Sequence, residues 1–262
     1  MKISIIGAGA MGGALAAGLM KGESVRTADL TVADPNKDVL DHFVKEGVSV
    51  TSDNKAAVQD ADIVAVVVKP WLVEKVLTEI KGEMDYDRQI LIVIAAGIPS
   101  VRLLEWAGKG DGQSPSLFMV IPNIAIQEKA SMTFIVPVGA SAQDTQTVKA
   151  LFNGLGESIV TEERLLGAGT TLASCGIAYA MRYIRAAVEG GVELGFKAGD
   201  AQQIVQQTVK GAVELLQSTG LHPEQAIDLV TTPGGVTIKG LNEMEHAGFT
   251  SAVIRGLKAG AK

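Results

Sequence analysis

Along the first half of the chain, apolar positions gather into short unbroken runs separated by amphipathic stretches. Ile63 to Val68 and Gln89 to Ala96 consist almost wholly of Val, Ile, Leu and Ala. Runs of this length without polar alternation predict strands covered on both faces, as in a parallel sheet. Lys2 to Ile6, Leu30 to Asp34 and Val48 to Thr51 predict further strands, and Leu117 to Ile121 and Met132 to Val138 extended segments. Between them, Met11 to Met20, Asp38 to Glu46, Asn54 to Gln59, Trp71 to Lys81 and Val101 to Ala107 read as helices. Such alternation predicts an α/β fold, a Rossmann-type doubly wound and mostly parallel sheet.

From about Thr161 the pattern changes. Leu165 to Gly195 and Asp200 to Ser218 read as long helices, Pro223 to Val230 and Ile238 to His246 as shorter ones, with no buried-strand run among them. The expected organisation is a sheet domain over residues 1–160 and an all-α domain over 161–262. Gly176, Gly190, Gly191 and Gly195 fall within this helical pattern, where each costs about 1 kcal/mol relative to Ala. That cost is tolerable where backbones approach closely, as in an intertwined interface between chains. A small-residue helical domain alone leaves apolar surface over, so a homodimer or larger homo-oligomer is expected. Arg182, Arg185, Glu189 and Glu193 recur at three- and four-residue steps, the pattern of a solvated, self-paired face, the alternative being an inter-subunit role.

Composition narrows the function class. The 262 residues are 47% hydrophobic and 20% charged, which is globular. With a formal charge of −6, a pI near 5.2 and no Lys/Arg-rich block, the chain lacks the clustered cations that nucleic-acid binding requires. No apolar run is long enough to span a membrane. The opening stretch has the greasiness of a secretory signal, but Gly7, Gly9, Gly12, Gly13 and Gly18 do not suit a signal helix. Cys175 is the one cysteine, which excludes an intrachain disulfide and fits a reducing, cytoplasmic compartment. His42, His222 and His246 are scattered, and no second cluster joins Glu243, Glu245 and His246, so no metal is expected.

Glycine is what points to chemistry, with 30 in the chain. Gly7-Ala8-Gly9-Ala10-Met11-Gly12 has Gly-x-Gly-x-x-Gly spacing between a strand and an Ala-rich helix. There Gly7 allows a tight turn, Gly9 lets amides approach a pyrophosphate, and Gly12 seats the helix against the sheet. Asp34 ends the second strand, where an acid accepts from a ribose 2′-hydroxyl and repels a 2′-phosphate. Asn36 and Lys37 beside it could instead accommodate that phosphate, and Asp34-Pro35-Asn36 also reads as an ordinary turn. NAD and NADP both stay open. Lys69-Pro70, Ala96-Gly97 and Pro122-Asn123 fall at strand carboxyl ends, where such sheets hold ligands, although each pair also reads as a turn.

Thr231-Thr232-Pro233-Gly234-Gly235-Val236-Thr237 precedes the Ile238 helix. Pro-Gly-Gly propagates neither strand nor helix, so it leaves consecutive amides free at a helix amino end, a cradle for a carboxylate. Thr237 either caps that helix or meets a substrate nitrogen; the residue type fits both.

Together these motifs resemble the pyrroline-5-carboxylate reductase family. The resemblance runs through Gly7 to Gly12, Val68-Lys69-Pro70, Ala96-Gly97 and Pro122-Asn123. It is most specific at Pro233-Gly234-Gly235-x-Thr237 with Gly240-Leu241, Glu245 and Gly248-Phe249. It implies NADPH- or NADH-dependent reduction of 1-pyrroline-5-carboxylate to L-proline, by a dinucleotide domain followed by a helical domain that dimerises by swapping helices. The cofactor would be framed by Gly7, Gly9, Ala10, Met11, Gly12 and Asp34, with Lys69, Pro70, Ala96, Gly97 and Asn123. Gly234, Gly235 and Val236 would hold the substrate, and Thr237 would orient its ring nitrogen. A protonated C=N is already electrophilic, so the reaction needs placement more than acid–base machinery.

The chain departs from the family at two places. Met119-Val120-Ile121-Pro122-Asn123-Ile124-Ala125 stands where the family has Arg before Met-Pro-Asn-Thr-Pro. Ala173-Ser174-Cys175-Gly176-Ile177-Ala178-Tyr179 stands for Ser-Gly-Ser-Gly-Pro-Ala-Tyr. The alternatives are a related imine reductase with altered substrate and a dinucleotide-binding paralogue without activity. A β-hydroxyacid dehydrogenase would need a Lys opening its second domain, and none lies between Gly167 and Ala180.

Overall fold

The computed structural model describes residues 1–22, 24–110 and 112–261. It divides after Ser174 into two compact units. In the first, eight strands form one sheet among the described residues: β1 (Ile3–Ile6), β2 (Leu30–Ala33), β3 (Ser49–Thr51), β4 (Ile63–Val66), β5 (Ile90–Val93), β6 (Ser116–Ile121), β7 (Ser131–Val138) and β8 (Gly156–Val160). Their order is β3-β2-β1-β4-β5-β6-β7-β8, and every neighbouring pair is parallel except β6 with β7. The chain reverses its direction of travel across the sheet at β1, which pairs with both β2 and β4. That is the topological switch point of a doubly wound sheet.

The helices of this unit are α1 (Ala10–Lys21), α2 (Lys37–Lys45), α3 (Asn54–Val58), α4 (Pro70–Ile80), α5 (Ser100–Ala107), α6 (Ala142–Asn153) and the single turn α7 (Leu166–Gly169). Ile3, Ile5, Ala65, Ile92 and Phe118 share one core with Leu15 and Leu19 of α1, Phe43 of α2 and Phe152 of α6. Their strand neighbours Ile6, Val64, Val66, Leu91 and Leu117 share the other with Val58 of α3, Val73 and Leu77 of α4 and Leu103 of α5. Successive strand side chains point to opposite faces, so helices on both sides require apolar residues at every strand position.

The sequence pattern marks nothing between Val138 and Thr161, where the structure has α6 and β8. As an edge strand with Ile159 and Val160 exposed, β8 carries no buried run to announce it. The division after Ser174 also lies beyond the change of pattern at Thr161. Leu166 belongs to the second core of the sheet unit. A side chain on Gly169 would stand 3.0 Å from the ring of Phe134, so α7 lies against β7.

A π-helical turn, Thr170–Cys175, interrupts the long helix expected over Leu165–Gly195, and α8 spans Gly176–Glu193. The second unit continues with α9 (Ala198–Thr219), α10 (Pro223–Leu229), α11 (Val236–His246) and α12 (Phe249–Gly260); α12 is unmarked in the sequence reading. Gly191 of α8 faces Ala201 of α9, where an added Cβ would meet the Ala201 methyl at 3.0 Å, and here the small residues do allow close approach. Arg185 and Glu189 pair at 2.8 Å on the surface, as the spacing predicts, while Arg182 and Glu193 make no ion pair among the described residues. No described helix is long and apolar enough to cross a membrane.

Candidate active site

At the carboxyl edge of the sheet a cleft of about 770 Å³ opens over the switch point, within the range of small-molecule and cofactor sites. Its floor is the loop from β1 to α1. Gly7 takes φ +101°, and a Cβ there would stand 2.3 Å from the Val67 carbonyl oxygen. A Cβ on Gly12 would come within 1.8 Å of the Gly7 carbonyl oxygen. Both positions therefore exclude any side chain, for the turn and for the seating of α1 respectively. Gly9 differs: a Cβ there meets nothing within 4 Å, yet the residue lines the cleft. Among the described residues nothing requires glycine at that position. The space it keeps open fits a ligand that comes close to the backbone.

Gly9 is the N-cap of α1 and donates no side-chain cap, and the first turn carries no acidic residue. The amino-end amides of α1 thus lack a local acceptor, and the helix dipole leaves that end positive. Together with the open position at Gly9, this fits the pyrophosphate of a dinucleotide. Ala10 and Met11 line the cleft from the same end of the helix.

Asp34, at the end of β2, is partly buried. One of its oxygens accepts from the Ala8 amide at 2.8 Å and the other from the Asn36 amide at 2.9 Å. The turn reading of Asp34-Pro35-Asn36 is therefore correct, and the carboxylate also holds the glycine loop in place. Asn36 accepts from the Asp38 amide and caps α2.

Of the remaining cofactor candidates, Lys69, Pro70 and Ala96 line the cleft. Lys69 is the N-cap of α4, with Pro70 at its first position. Gly97 follows Ala96 with φ +79° and is exposed. Asn123 ends β6 and is 7% exposed; its side-chain oxygen accepts from the Ala125 amide at 3.0 Å. The residue at 125 can donate because it is Ala rather than Pro. Gly12, Gly97 and Asn123 are not on the cleft wall. Ser52, Asn54, Lys75 and Glu79 do line it, although no motif in the sequence points to them. Ser52 and Asn54 follow β3, so the carboxyl-end rule applied to that short strand would have found them. Lys75 and Glu79 sit one turn apart on α4, and only the packed helix brings them to the cleft.

In the helical unit, Thr232, Pro233, Gly234 and Gly235 form a turn in which the Gly235 amide donates to the Thr232 carbonyl at 2.9 Å. Gly234 takes φ +74°, as the third position of a Pro-Gly type II turn requires. The consecutive free amides expected of Pro-Gly-Gly are thereby interrupted, because Gly235 is spent inside the turn. Helix α11 then starts at Val236, two residues earlier than its pattern suggests, with Gly235 as an N-cap that has no side chain. Thr237 is the second residue of the helix and caps nothing. Its hydroxyl has no partner among the described residues and it is exposed. Capping is thus removed as the explanation for Thr237. Gly235 is required for its own reason, since a Cβ there would meet the Thr232 hydroxyl at 2.5 Å.

Among the described residues no group of three or more His, Cys, Asp or Glu side chains could hold a metal ion. His246 and Glu243 form only an exposed 3.8 Å pair.

Comparison with known proteins is consistent over the whole chain. Residues 163–262 match the family described as pyrroline-5-carboxylate reductase dimerisation, and residues 2–97 match NADP oxidoreductase coenzyme F420-dependent. The chain is 37% identical to pyrroline-5-carboxylate reductase 1 of Dictyostelium discoideum over 97% of its own length, and spans 48% of that protein. It is 35% identical to pyrroline-5-carboxylate reductase 2 of the same organism, over 100% of this chain and 91% of the relative. The crystal structure of Plasmodium falciparum pyrroline carboxylate reductase with NADP bound superposes with a TM-score of 0.89 at 26% identity, covering 100% of this chain and 95% of that one.

Proposed function

Because the chain belongs to the pyrroline-5-carboxylate reductase family, we propose that it reduces 1-pyrroline-5-carboxylate to L-proline with the division of labour its two units suggest. The sheet unit binds the dinucleotide: Gly7, Gly9 and Gly12 shape the loop, the α1 amides at Ala10 and Met11 take the pyrophosphate, and Lys69, Pro70, Ala96, Gly97 and Asn123 frame the nicotinamide end. Asp34 acts mainly by holding the Ala8 amide. Its charge is already partly met by two amides, so it discriminates weakly and both NADPH and NADH serve. When bound, the reduced nicotinamide supplies the hydride.

The helical unit binds the imine. The amides at the amino end of α11, from Val236 and Thr237, hold the carboxylate with the Gly234 amide beside them. Thr237 Oγ1 orients the ring nitrogen. The observation that carries this reading is the amino end of α11: it is uncapped, and the threonine hydroxyl beside it is unspent. The two units act within a cytoplasmic homodimer built from the helical units. Support for the dimer comes from the match of residues 163–262 and from the lack of a single buried residue in α8, α10, α11 and α12.

The test is Thr237→Ala. Loss of one positioned hydrogen bond at a reacting group lowers turnover about 10²-fold, and the Kd for NADPH stays within about twofold. Unchanged turnover with pyrroline-5-carboxylate removes Thr237 from this role.

A further inference from the structure

Glu163 lies in the 3-10 turn after β8. Its carboxylate accepts from the Ser100 amide at 2.8 Å and from the Ser100 hydroxyl at 2.5 Å, across 63 residues of chain. Ser100 opens α5, and the N-cap of α5 is Pro99, which has no side-chain cap to offer. Glu163 therefore supplies from a distance the acceptor that the local sequence lacks, and its charge meets the positive end of the helix. Bonds of this charge-assisted kind are about twice as strong as neutral ones. Upstream of Ser100 the loop runs back through Gly97 to Ala96 on the cleft wall. The sheet anchors one end of that loop, and Glu163 anchors the other.

A second long-range bond, here between neutral groups, lies at the next strand. The Ser174 hydroxyl donates to the Pro122 carbonyl at 2.5 Å, across 52 residues. In strand order, β5 and β6 lie on the opposite side of β1 from β2. If the adenosine end of a dinucleotide lies at β2 and its pyrophosphate at α1, the loops after β5 and β6 are left for the nicotinamide end.

We propose that Glu163 and Ser174 are positioning residues: they clamp the loops after β5 and β6, and through those loops set where the nicotinamide end of the cofactor lies. The inference rests on the dinucleotide reading above. Neither residue lines the cleft, and the clamp leaves the adenosine end unaffected.

Glu163→Gln and Ser100→Pro attack the first bond from its two sides. Proline suits the first position of a helix, and Pro99 at φ −66°, ψ 146° already has the backbone that precedes a proline. Three measurements are made: hydrogen exchange at the amides of Ile98 and residues 101–103 without cofactor, kcat with NADPH, and the Kd for 2′,5′-ADP, which fills the adenosine end alone. Exchange should quicken about tenfold and kcat fall about tenfold in each variant. The Kd for 2′,5′-ADP should stay within about twofold. Ser174→Ala should lower kcat about threefold by the same logic. The double variant Glu163→Gln/Ser100→Pro should be no worse than the weaker single one, because both remove one interaction. Additive losses, unchanged exchange, or an equal loss of 2′,5′-ADP affinity would overturn the clamp. If the unaltered chain failed to reduce pyrroline-5-carboxylate, the functional reading would fall, while exchange in the cofactor-free chain would still decide the clamp.

Discussion

The two units of this chain treat apolar side chains in opposite ways. In the sheet unit β1, β4 and β5 are buried at every position, and helices on both faces complete two internal cores. In the helical unit Ala201 is the one buried residue among those described, while Leu194 is 84% exposed and Val236 85%. A groove of about 580 Å³ lined by Tyr179, Tyr183, Met244, Phe249 and Val253 runs between α8 and α12. Apolar surface of this extent is the mark of an element stabilised by association. The sheet unit is complete as a single chain, whereas the helical unit has its stabilising contacts still to make.

The largest test of that contrast is Val253→Glu, which places a charge on the groove wall. Burying an unpaired charge costs more than the groove can return, so light scattering should give the monomer mass of 27.3 kDa. On the role proposed for Thr237, turnover should fall by more than about 10²-fold. Binding of NADPH to the sheet unit should persist. A dimer retained by this variant would place the interface elsewhere.

The reciprocal change is Gly12→Ala. Its methyl would lie 1.8 Å from the Gly7 carbonyl oxygen, so α1 must shift at a cost of about 3 kcal/mol. Fluorescence titration should then show cofactor affinity lost while the dimer survives. Loss of the dimer in this variant would mean that the helical unit depends on the glycine loop.

A smaller effect is expected from Asp34→Ala, which frees the Ala8 amide and loosens the loop. The Kd should rise about tenfold for NADPH and for NADH alike, as for a lost hydrogen bond to a charged group. Tighter NADPH binding with weaker NADH binding would show instead that the carboxylate acts directly on the 2′-position.

Much of the sheet unit is legible in the chain. Ile63 to Val68 and Gln89 to Ala96 read as strands because they are almost wholly apolar, and Gly7 and Gly12 occupy positions where a Cβ cannot be placed. The elements that escape notice are α6, β8, which lies at the sheet edge, and α12, whose apolar residues Phe249, Val253 and Ile254 are exposed. That Thr237 caps nothing is not legible in the chain, since its residue type suits a cap equally well.

What the sequence determined by itself is local: the unbroken apolar runs of the buried strands and the glycines demanded by close backbone approach. Tertiary structure alone decided how polar groups are spent. Asp34 reaches the Ala8 amide across 26 residues and Glu163 reaches Ser100 across 63. Such partners are chosen by which chain ends the sheet brings together. A donor or acceptor has no preferred mate in one dimension, whereas an apolar run already states that it must be covered.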